Sequence, residues 1–198
     1  MKWILIGLIT LTLTSFTFIN KSTSAQSSKW VITQNSSLTV NGSTNVNKFS
    51  CVILQYPKMD TVTISEDKTS SITLTGKLNI EVKNFDCSNY MMTRELRKTL
   101  NEKQFPYINI KFLSLKEVLG TKQKYSNIKG LVAIEIAGVE KRFEISYQFN
   151  IDKKKIMLMG SQAINFSDFS LLPPKKMGKL IMAKDQLVVV FYLKLEAV

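Results

Sequence analysis

Hydrophobic and polar residues alternate along most of the chain, and this period of two is typical of β-strands with one buried face. In the clearest run, which follows Asp67, the apolar residues fall on one face and the polar residues on the other. The apolar face holds Ile72, Leu74, Leu78, Ile80 and Val82. Gly76 interrupts this face, as a bend or a bulge in a curved sheet would.

The same alternation recurs in further segments separated by turn-forming residues, and it predicts about eight antiparallel strands. These segments are residues 30–32, 38–40, 46–54, 62–64, 108–118, 130–151 (a hairpin), 156–166 and 187–197. Such strands close as a barrel or stack as a sandwich, and their length favours a barrel. The last strand is apolar on both faces from Leu187 to Leu193, so we expect the chain's one helix to cover its outer face.

One segment has a helical period instead. Met92, Leu96 and Leu100 recur four residues apart among charged residues, which predicts an amphipathic α-helix over about 89–104. Ser88 or Asn89 can cap its start, and Pro106 cannot continue it. The helix is either a lid or plug over an apolar interior or an element that closes one end of a β core, and the sequence leaves both open.

The N-terminal segment has the pattern of a secretory signal peptide. Lys2 precedes an apolar run that ends near Ile19, and small residues follow up to Ala25. The run is short and threonine-rich, which favours cleavage after Ala25 over an uncleaved membrane anchor. We therefore predict residues 1–25 as a signal peptide, residues 26–198 as one domain, and a periplasmic or secreted protein.

The chain is basic, with a formal net charge of +12. The predicted signal peptide carries two lysines and no acid, so the mature charge is +12 − 2 = +10. This charge favours anionic partners, while export makes nucleic acid the least plausible of them. Plain solubility is the alternative explanation. A transient contact with a membrane surface and a dimer both stay open.

The reactive residues exclude several classes of function. The chain has no His and only Cys51 and Cys87, which excludes Cys/His zinc sites, Ser-His-Asp triads and a His general base. An even cysteine count in an exported chain predicts a disulfide, with two unrelated buried thiols as the alternative. The candidate acids show no spacing that suggests acid–base catalysis, and we expect no enzyme, metal or cofactor. These acids are Glu135, Glu144, Asp168 and Asp185.

The chain carries, in this order, Pro106-Tyr107-Ile108, a hairpin from Gly130 to Lys141, and a run from Ile164 to Ser170. These three motifs, in the right order, resemble the YceI-like family of exported, lipocalin-like, polyisoprenoid-binding bacterial proteins. The hairpin from Gly130 to Lys141 resembles its G-x-L-x-I-x-G-V-x-K segment, and Pro106-Tyr107-Ile108 resembles its P-x-I segment. The run from Ile164 to Ser170 resembles I-N-R-x-D-F-G, except that Phe166 replaces the Arg and Ser170 replaces the Gly. The two cysteines are not part of the family pattern.

The resemblance implies an all-β, extended, eight-stranded antiparallel lipocalin-like barrel whose interior binds a polyisoprenoid or other long-chain lipid. The apolar strand faces would line the interior. The predicted ligand-binding residues are Leu74, Leu78, Ile80, Ile108, Phe112, Phe143, Ile145, Tyr147, Phe149, Val189, Phe191 and Leu193. A polar head would lie at a mouth rimmed by lysines. The alternative is a structural or surface-interaction barrel, filled by side chains and without a lipid.

Overall fold

The computed structural model describes residues 26–66, 72–116, 126–152, 154–176 and 180–198, and the predicted signal peptide, residues 1–25, lies outside them. The first six strands are β1 (Gln26–Ile32), β2 (Ser37–Ser43), β3 (Lys48–Ile53), β4 (Thr61–Glu66), β5 (Ile72–Glu81) and β6 (Tyr107–Lys116). The next are β7 (Ser126–Ile136), β8 (Val139–Asp152), β9 (Lys155–Asn165), β10 (Lys175–Lys176), β11 (Ile181–Met182) and β12 (Gln186–Ala197). One α-helix, α1 (Tyr90–Thr99), and two short 3-10 helices, Val82–Asn84 and Ser167–Phe169, complete the described elements.

Eight of these strands form a closed antiparallel ring. Their order is β1-β4-β5-β6-β7-β8-β9-β12, and β12 returns to pair with β1. Side chains alternate as the sequence predicts: on β8, Ile145 and Tyr147 point into the core, while Glu144 and Ser146 are exposed. The predicted eight-stranded barrel is therefore confirmed. The additional strands β2 and β3 are hydrogen-bonded to the ring through β12.

One edge of β12 serves two partners in succession. Its last residues pair with β1, in the register Trp30 with Ala197 and Ile32 with Leu195. Its middle pairs with β2, in the register Leu38 with Phe191. The chain therefore leaves the ladder after β1 and rejoins the same edge of β12 as β2. The wall next to β12 is formed by β1 at one end of the barrel and by β2 towards the other.

Ser36 holds the chain at this break. Its side chain is only 1% exposed, and its Oγ accepts a hydrogen bond from the backbone N of Lys194 at 3.0 Å. Thr33 N donates to Lys194 O at 2.8 Å. The backbone groups of β12 that face the break are thus satisfied by Ser36 and Thr33 instead of by a continuous strand.

Gly76 marks the place where β5 loses one of its two neighbours. The β4–β5 ladder ends at the pair Val62–Gly76. Gly76 has φ +155°, and a Cβ there would lie 2.8 Å from Val62 Cγ1 and 3.1 Å from Thr61 O. Only glycine fits this conformation and this close approach. Beyond it, residues 77–81 of β5 have β6 on one side and, within the described chain, no strand ladder on the other.

The free edges of β3 and of residues 77–81 of β5 border the same gap in the wall, which we call the seam. The predicted disulfide between Cys51 and Cys87 is present and ties β3 to the segment that follows β5. Beside it, Val52 and Asp86 exchange two backbone hydrogen bonds, at 2.7 and 2.9 Å. The prediction of a disulfide is confirmed, and the bond lies where the strand ladder is missing.

Side chains close the rest of the seam. Asn79 N, on the free edge of β5, donates to Asp60 Oδ2 at 3.0 Å. The hydroxyl of Tyr56 donates to the same carboxylate oxygen. Tyr56 N in turn donates to the carbonyl of Ser36 at 3.1 Å. Asp60 therefore takes the place that a neighbouring strand's carbonyl would have in a complete ladder.

Helix α1 begins and ends through standard caps. Of the two predicted caps, Ser88 and Asn89, Asn89 is the one present, and its Oδ1 accepts from Met92 N at 3.1 Å. At the other end Asn101 has φ +52°, and Glu102 N donates to Arg97 O at 3.0 Å, which is the Schellman arrangement. The helix thus stops at Thr99, so the prediction of about 89–104 was too long. No helix in the described part of the chain has the length and hydrophobicity to cross a bilayer.

The helix covers one end of the barrel, not the outer face of β12. Leu96 and Leu100 are buried there, and α1 borders a groove with Phe49, Cys51 and Phe166. On β12, the outward side chains Val188 and Val190 are 38% and 41% exposed. The predicted cover of this strand was therefore wrong, because α1 is tied by the disulfide to the seam. We call the end that carries α1 the helix end and the opposite one the β1 end.

Candidate functional site

An apolar cavity of about 60 Å³ lies midway along the barrel, just behind the seam. Its wall combines inward-facing residues of the ring with residues from the break between β1 and β2. The lining residues are Ser36, Ser37, Leu38, Ile53, Tyr56, Leu78, Ile80, Ile110, Phe112, Val132, Ile134, Ile145, Tyr147, Gln162, Val189, Phe191 and Leu193. None of them carries a formal charge, so the cavity suits a neutral, mainly apolar occupant.

The cavity is smaller than a long chain requires. About 60 Å³ has room for roughly two water molecules, at the about 30 Å³ that each takes in the liquid. The ring of Phe191 occupies much of the interior: a Cβ added to Gly160 would lie 2.4 Å from its Cζ. Phe191 also packs edge-to-face against Tyr147, with ring centroids 5.3 Å apart. A long ligand would therefore have to displace these two rings.

Most of the predicted lining residues meet at this cavity. Those that line it are Leu78, Ile80, Phe112, Ile145, Tyr147, Val189, Phe191 and Leu193. Three others lie elsewhere in the core. Leu74 and Ile108 are buried away from the cavity, and Phe143 packs against Phe169 with ring centroids 6.2 Å apart. The side chain of Phe149 is outside the described residues, although its backbone pairs with Leu158.

Sequence reasoning missed two groups of lining residues. Ile110, Val132 and Ile134 continue the period of two on β6 and β7, so the alternation itself contained the signal for them. The polar lining residues Ser36 and Gln162 carried no such signal. Their inward position follows from the break in the β1–β2 wall and from the register of β9 with β12, and neither is visible in a single strand.

The polar side chains among the lining residues differ in whether their hydrogen bonds are satisfied. The Tyr56 hydroxyl donates to Asp60, and burial together with this bond raises the pKa of Tyr56. Gln162 Nε2 donates to the carbonyl of Ala163 at 2.8 Å. The hydroxyl of Tyr147 is buried and has no hydrogen-bond partner among the described residues. Burial raises the pKa of the Tyr147 phenol, which therefore stays protonated at physiological pH.

Both ends of the barrel are filled by side chains. Phe85, Phe166 and Phe169 are buried at the helix end. Ile32 and Val62 are fully buried at the β1 end. No residue of α1 lines the cavity. Of the two interpretations of the helix, the structure supports the one in which it closes an end of the β core.

The four acids considered as catalytic candidates have structural or surface partners. Asp168 accepts from Asn165 N at 2.7 Å, and Asp185 accepts from Ser167 N at 3.0 Å. Glu144 pairs with Lys129 on the barrel surface at 2.9 Å. Glu135 accepts from Asn109 Nδ2 at 3.3 Å. None of the four lines the cavity.

Comparison with known proteins identifies the architecture through structure rather than through sequence. No family model and no curated protein sequence matches the chain. Among solved structures, BcnA of Burkholderia cenocepacia superposes with a TM-score of 0.61 at 14% identity, over 81% of this chain and 96% of BcnA. A polyisoprenoid binding domain from Saccharophagus degradans, implicated in plant cell wall breakdown, gives 0.60 at 12% identity, over 85% and 98%.

A YceI protein of Campylobacter jejuni gives a TM-score of 0.50 at 17% identity, over 69% of this chain and 80% of that protein. The chain has the YceI-like fold. The fold that the hairpin motif indicated is therefore confirmed.

The structure also shows where the two departures from the YceI-like sequence pattern lie. Ser170, which replaces the pattern's Gly, has φ +57°, a left-handed conformation that glycine adopts without strain. Phe166, which replaces the Arg, is 3% exposed and belongs to the core at the helix end. This YceI-like barrel therefore has an apolar side chain where the pattern would place a cation, and no charge is brought to the interior there.

Proposed function

We propose that this protein binds a chain-like apolar molecule, such as a polyisoprenoid or a similar long-chain lipid, inside the barrel and carries or sequesters it. The observation that carries the proposal is the uncharged, apolar cavity at mid-barrel. Each CH₂ group transferred from water into it contributes about 0.8 kcal/mol. The solved polyisoprenoid binding domain with the same fold supports this ligand class. Binding, not catalysis, fits a cavity without an acid or a charged group.

We place this function in the periplasm or outside the cell. The Cys51–Cys87 disulfide supports an oxidising compartment, where such bonds form and persist. The predicted signal peptide, residues 1–25, supports the same location. N-terminal sequencing of exported protein should recover Gln26 as the first residue. Recovery of Met1 would contradict this part of the proposal.

The helix end also has the composition of a surface that touches anionic lipid. Val46, Met91, Leu180 and Met182 are exposed there, Val46 at 66% and Met91 at 55%. Asn45 holds this cluster together, because its side chain bonds Leu180 O at 2.8 Å and Met182 N at 3.0 Å. Exposed apolar side chains on a protein with a mature charge of +10 suit partial insertion into an anionic bilayer.

Vesicle flotation tests this contact. Binding should require phosphatidylglycerol in phosphatidylcholine vesicles and should weaken as salt is added. Met91→Glu should reduce it, whereas Val190→Glu, at an outward position of β12, should not. Equal binding to neutral vesicles, or no difference between the two variants, would contradict a lipid contact at the helix end.

The ligand itself is tested by gentle purification, organic extraction and native mass spectrometry. Extracts should contain a long-chain apolar molecule. Val189→Phe fills the cavity and should lower the affinity for lipid at least about tenfold, which corresponds to a loss of about 1.4 kcal/mol of binding free energy. Val188→Phe is the matched control, because Val188 is the neighbour of Val189 on β12 and its own side chain points outward and is exposed.

A second variant tests whether the rings control the cavity size. Phe191→Leu enlarges the cavity and should retain or increase lipid binding, although the barrel becomes less stable. Melting curves of each variant separate loss of binding from loss of folding. An extract without any chain-like molecule, together with equal prenol binding by Val189→Phe and Val188→Phe, would favour a structural or surface-interaction barrel instead.

A further inference from the structure

A second space, at the helix end, is larger than the mid-barrel cavity. Its volume is about 310 Å³, against about 60 Å³ for the cavity. Helix α1 contributes Met91, Met92 and Leu96 to its walls, and β3 contributes Phe49 and Cys51. We call this space the helix-end groove. Small-molecule sites in proteins occupy about 300–1,000 Å³, so the groove has the size of a binding site, which the cavity alone does not.

The groove combines apolar walls with polar groups at its rim. Val46 and Met91 line it and are 66% and 55% exposed, so apolar surface is open to an occupant. Its polar lining residues include Asn47 and Asn89, which are exposed, and Glu95, which is half-buried. Ligand sites typically join apolar walls to a few polar groups in this way. The groove therefore suits an apolar chain whose polar end stays close to water.

The helix-end groove and the mid-barrel cavity lie at neighbouring levels of the same interior. Phe49, Cys51 and Ile53 are successive inward residues of β3; the first two line the groove and the third lines the cavity. Val40 of β2 pairs with Cys51 on one side and with Val189, a cavity residue, on the other. Val40 itself is buried and lines neither space. Its side chain therefore stands, in register, between a groove residue and a cavity residue.

The two spaces together fit a long molecule better than either does alone. Phe49 and Ile53 are four residues apart on one strand, which corresponds to about 13 Å along it. A chain-like molecule can extend over this distance, whereas a compact one of the same volume cannot. The groove also opens beside Val46 and Met91, the exposed residues through which we place the bilayer contact. A lipid that leaves the bilayer there would meet the groove first.

We propose that one ligand chain occupies both spaces, with its apolar tail in the mid-barrel cavity, the following segment in the helix-end groove and its polar end at the groove's rim. This inference rests on the proposed function and specifies where its ligand lies and which end of the barrel admits it. The Val40 side chain must shift to let the chain pass, because it is packed in the core between the two spaces.

Geranylgeraniol, a long neutral prenol, is the probe. Native mass spectrometry should show one molecule bound per chain of wild-type protein. Ala183→Trp fills the groove, and equilibrium dialysis should show an affinity at least about tenfold lower, since the loss of two buried CH₂ groups already has this effect. Val189→Phe, which fills the cavity, should lower the affinity in the same way. Ala163→Trp is the matched control, because Ala163 lies on the exposed outer face of β9 and should bind the probe as the wild type does.

A second variant guards against a folding defect at Ala183, whose backbone N donates to Pro174 O at 3.0 Å. Met92→Glu places a charge in the apolar wall of the groove and should also weaken binding at least about tenfold. Lys98→Gln changes the net charge by the same amount on an exposed position of α1 outside the groove, and it should leave binding unchanged. Melting curves show which variants are folded.

The remaining outcomes separate the two proposals. If Val189→Phe weakens binding while folded Ala183→Trp and Met92→Glu bind as the wild type does, the chain lies in the barrel alone, and the inference is overturned while the lipid-binding function stands. Two molecules bound per wild-type chain, one lost in each filling variant, would also overturn it, because the spaces would be separate sites. If the wild type binds no prenol, the proposed function is overturned and the inference falls with it.

Discussion

At its β1 end the barrel closes through backbone ladders, whereas along the seam it closes through side chains, a disulfide and one isolated backbone bridge between Val52 and Asp86. The β1 strand pairs with β4 on one side and with β12 on the other. Along the seam, no ladder joins β3 to β5 among the described residues. The two sides are connected instead by the hydrogen bonds of Asp60 with Tyr56 and Asn79 and by the bond between Cys51 and Cys87. An antiparallel ladder repeats a pair of backbone hydrogen bonds at every second residue, so single side-chain changes hardly affect it. The seam depends on a few named groups.

The difference also concerns function, because the cavity lies behind the seam. Ile53 and Tyr56 line it from one side of the gap, and Leu78 and Ile80 line it from the other. Both ends of the barrel are filled by buried side chains. The wall beside the cavity therefore depends on a few side chains at the seam, and changes there should affect stability and ligand exchange together.

The largest expected effect is that of the disulfide. It closes a loop of 36 residues, which corresponds to roughly 4 kcal/mol of stability on the chain-entropy estimate. The double variant Cys51→Ser with Cys87→Ser should lose about this much free energy of unfolding in urea titrations. Hydrogen exchange should accelerate first at the amides of Val52 and Asp86. A loss below about 1 kcal/mol would show that the ladder-closed part alone supports the barrel.

Removal of the Asp60 carboxylate should have the next largest effect. Asp60→Ala leaves Asn79 N–H and the Tyr56 hydroxyl without their partner, at a cost of about 2–3 kcal/mol. Thr75→Ala, at an exposed position in the ladder-closed part of β5, should change stability by less than about 0.5 kcal/mol. Chemical denaturation of both variants checks the contrast. Equal effects would remove the distinction between seam and ladder.

Ser36→Ala should have a smaller effect, about 1–2 kcal/mol, because Lys194 N loses its buried acceptor. Ser37→Ala is the neighbouring control, since its Oγ holds no partner on β12 among the described hydrogen bonds. Thermal unfolding monitored by circular dichroism compares the two. If both variants have the melting temperature of the wild type, Ser36 does not stabilise the break between β1 and β2.

The smallest effect is expected on the outer face of β12. Val190→Thr should change stability by less than about 0.5 kcal/mol, because this side chain is 41% exposed. Val189→Thr, on the cavity side of the same strand, places a hydroxyl in an apolar wall and should cost more than about 1 kcal/mol. A similar cost at both positions would indicate that a partner or a second copy covers the outer face.

The sequence by itself determined which faces of the strands are buried and where the helix begins. The period of two placed Ile145 and Tyr147 inside, and the residue types at Asn89 and in the cysteine pair predicted the cap and the disulfide that the structure contains. These features are local, or they follow from composition and compartment. The short helix was overestimated because Asn101, which ends it in a left-handed conformation, looks like any polar helix residue.

Only the tertiary structure decided how high along the barrel each inward side chain lies. Alternation assigns a residue to the interior, but the stagger between neighbouring strands sets its level along the barrel axis. For this reason Leu78 lines the cavity while Leu74, on the same face of β5, does not. The closure of the seam, the inward position of Ser36, and the lack of a partner for the Tyr147 hydroxyl among the described residues likewise depend on residues far apart in the chain.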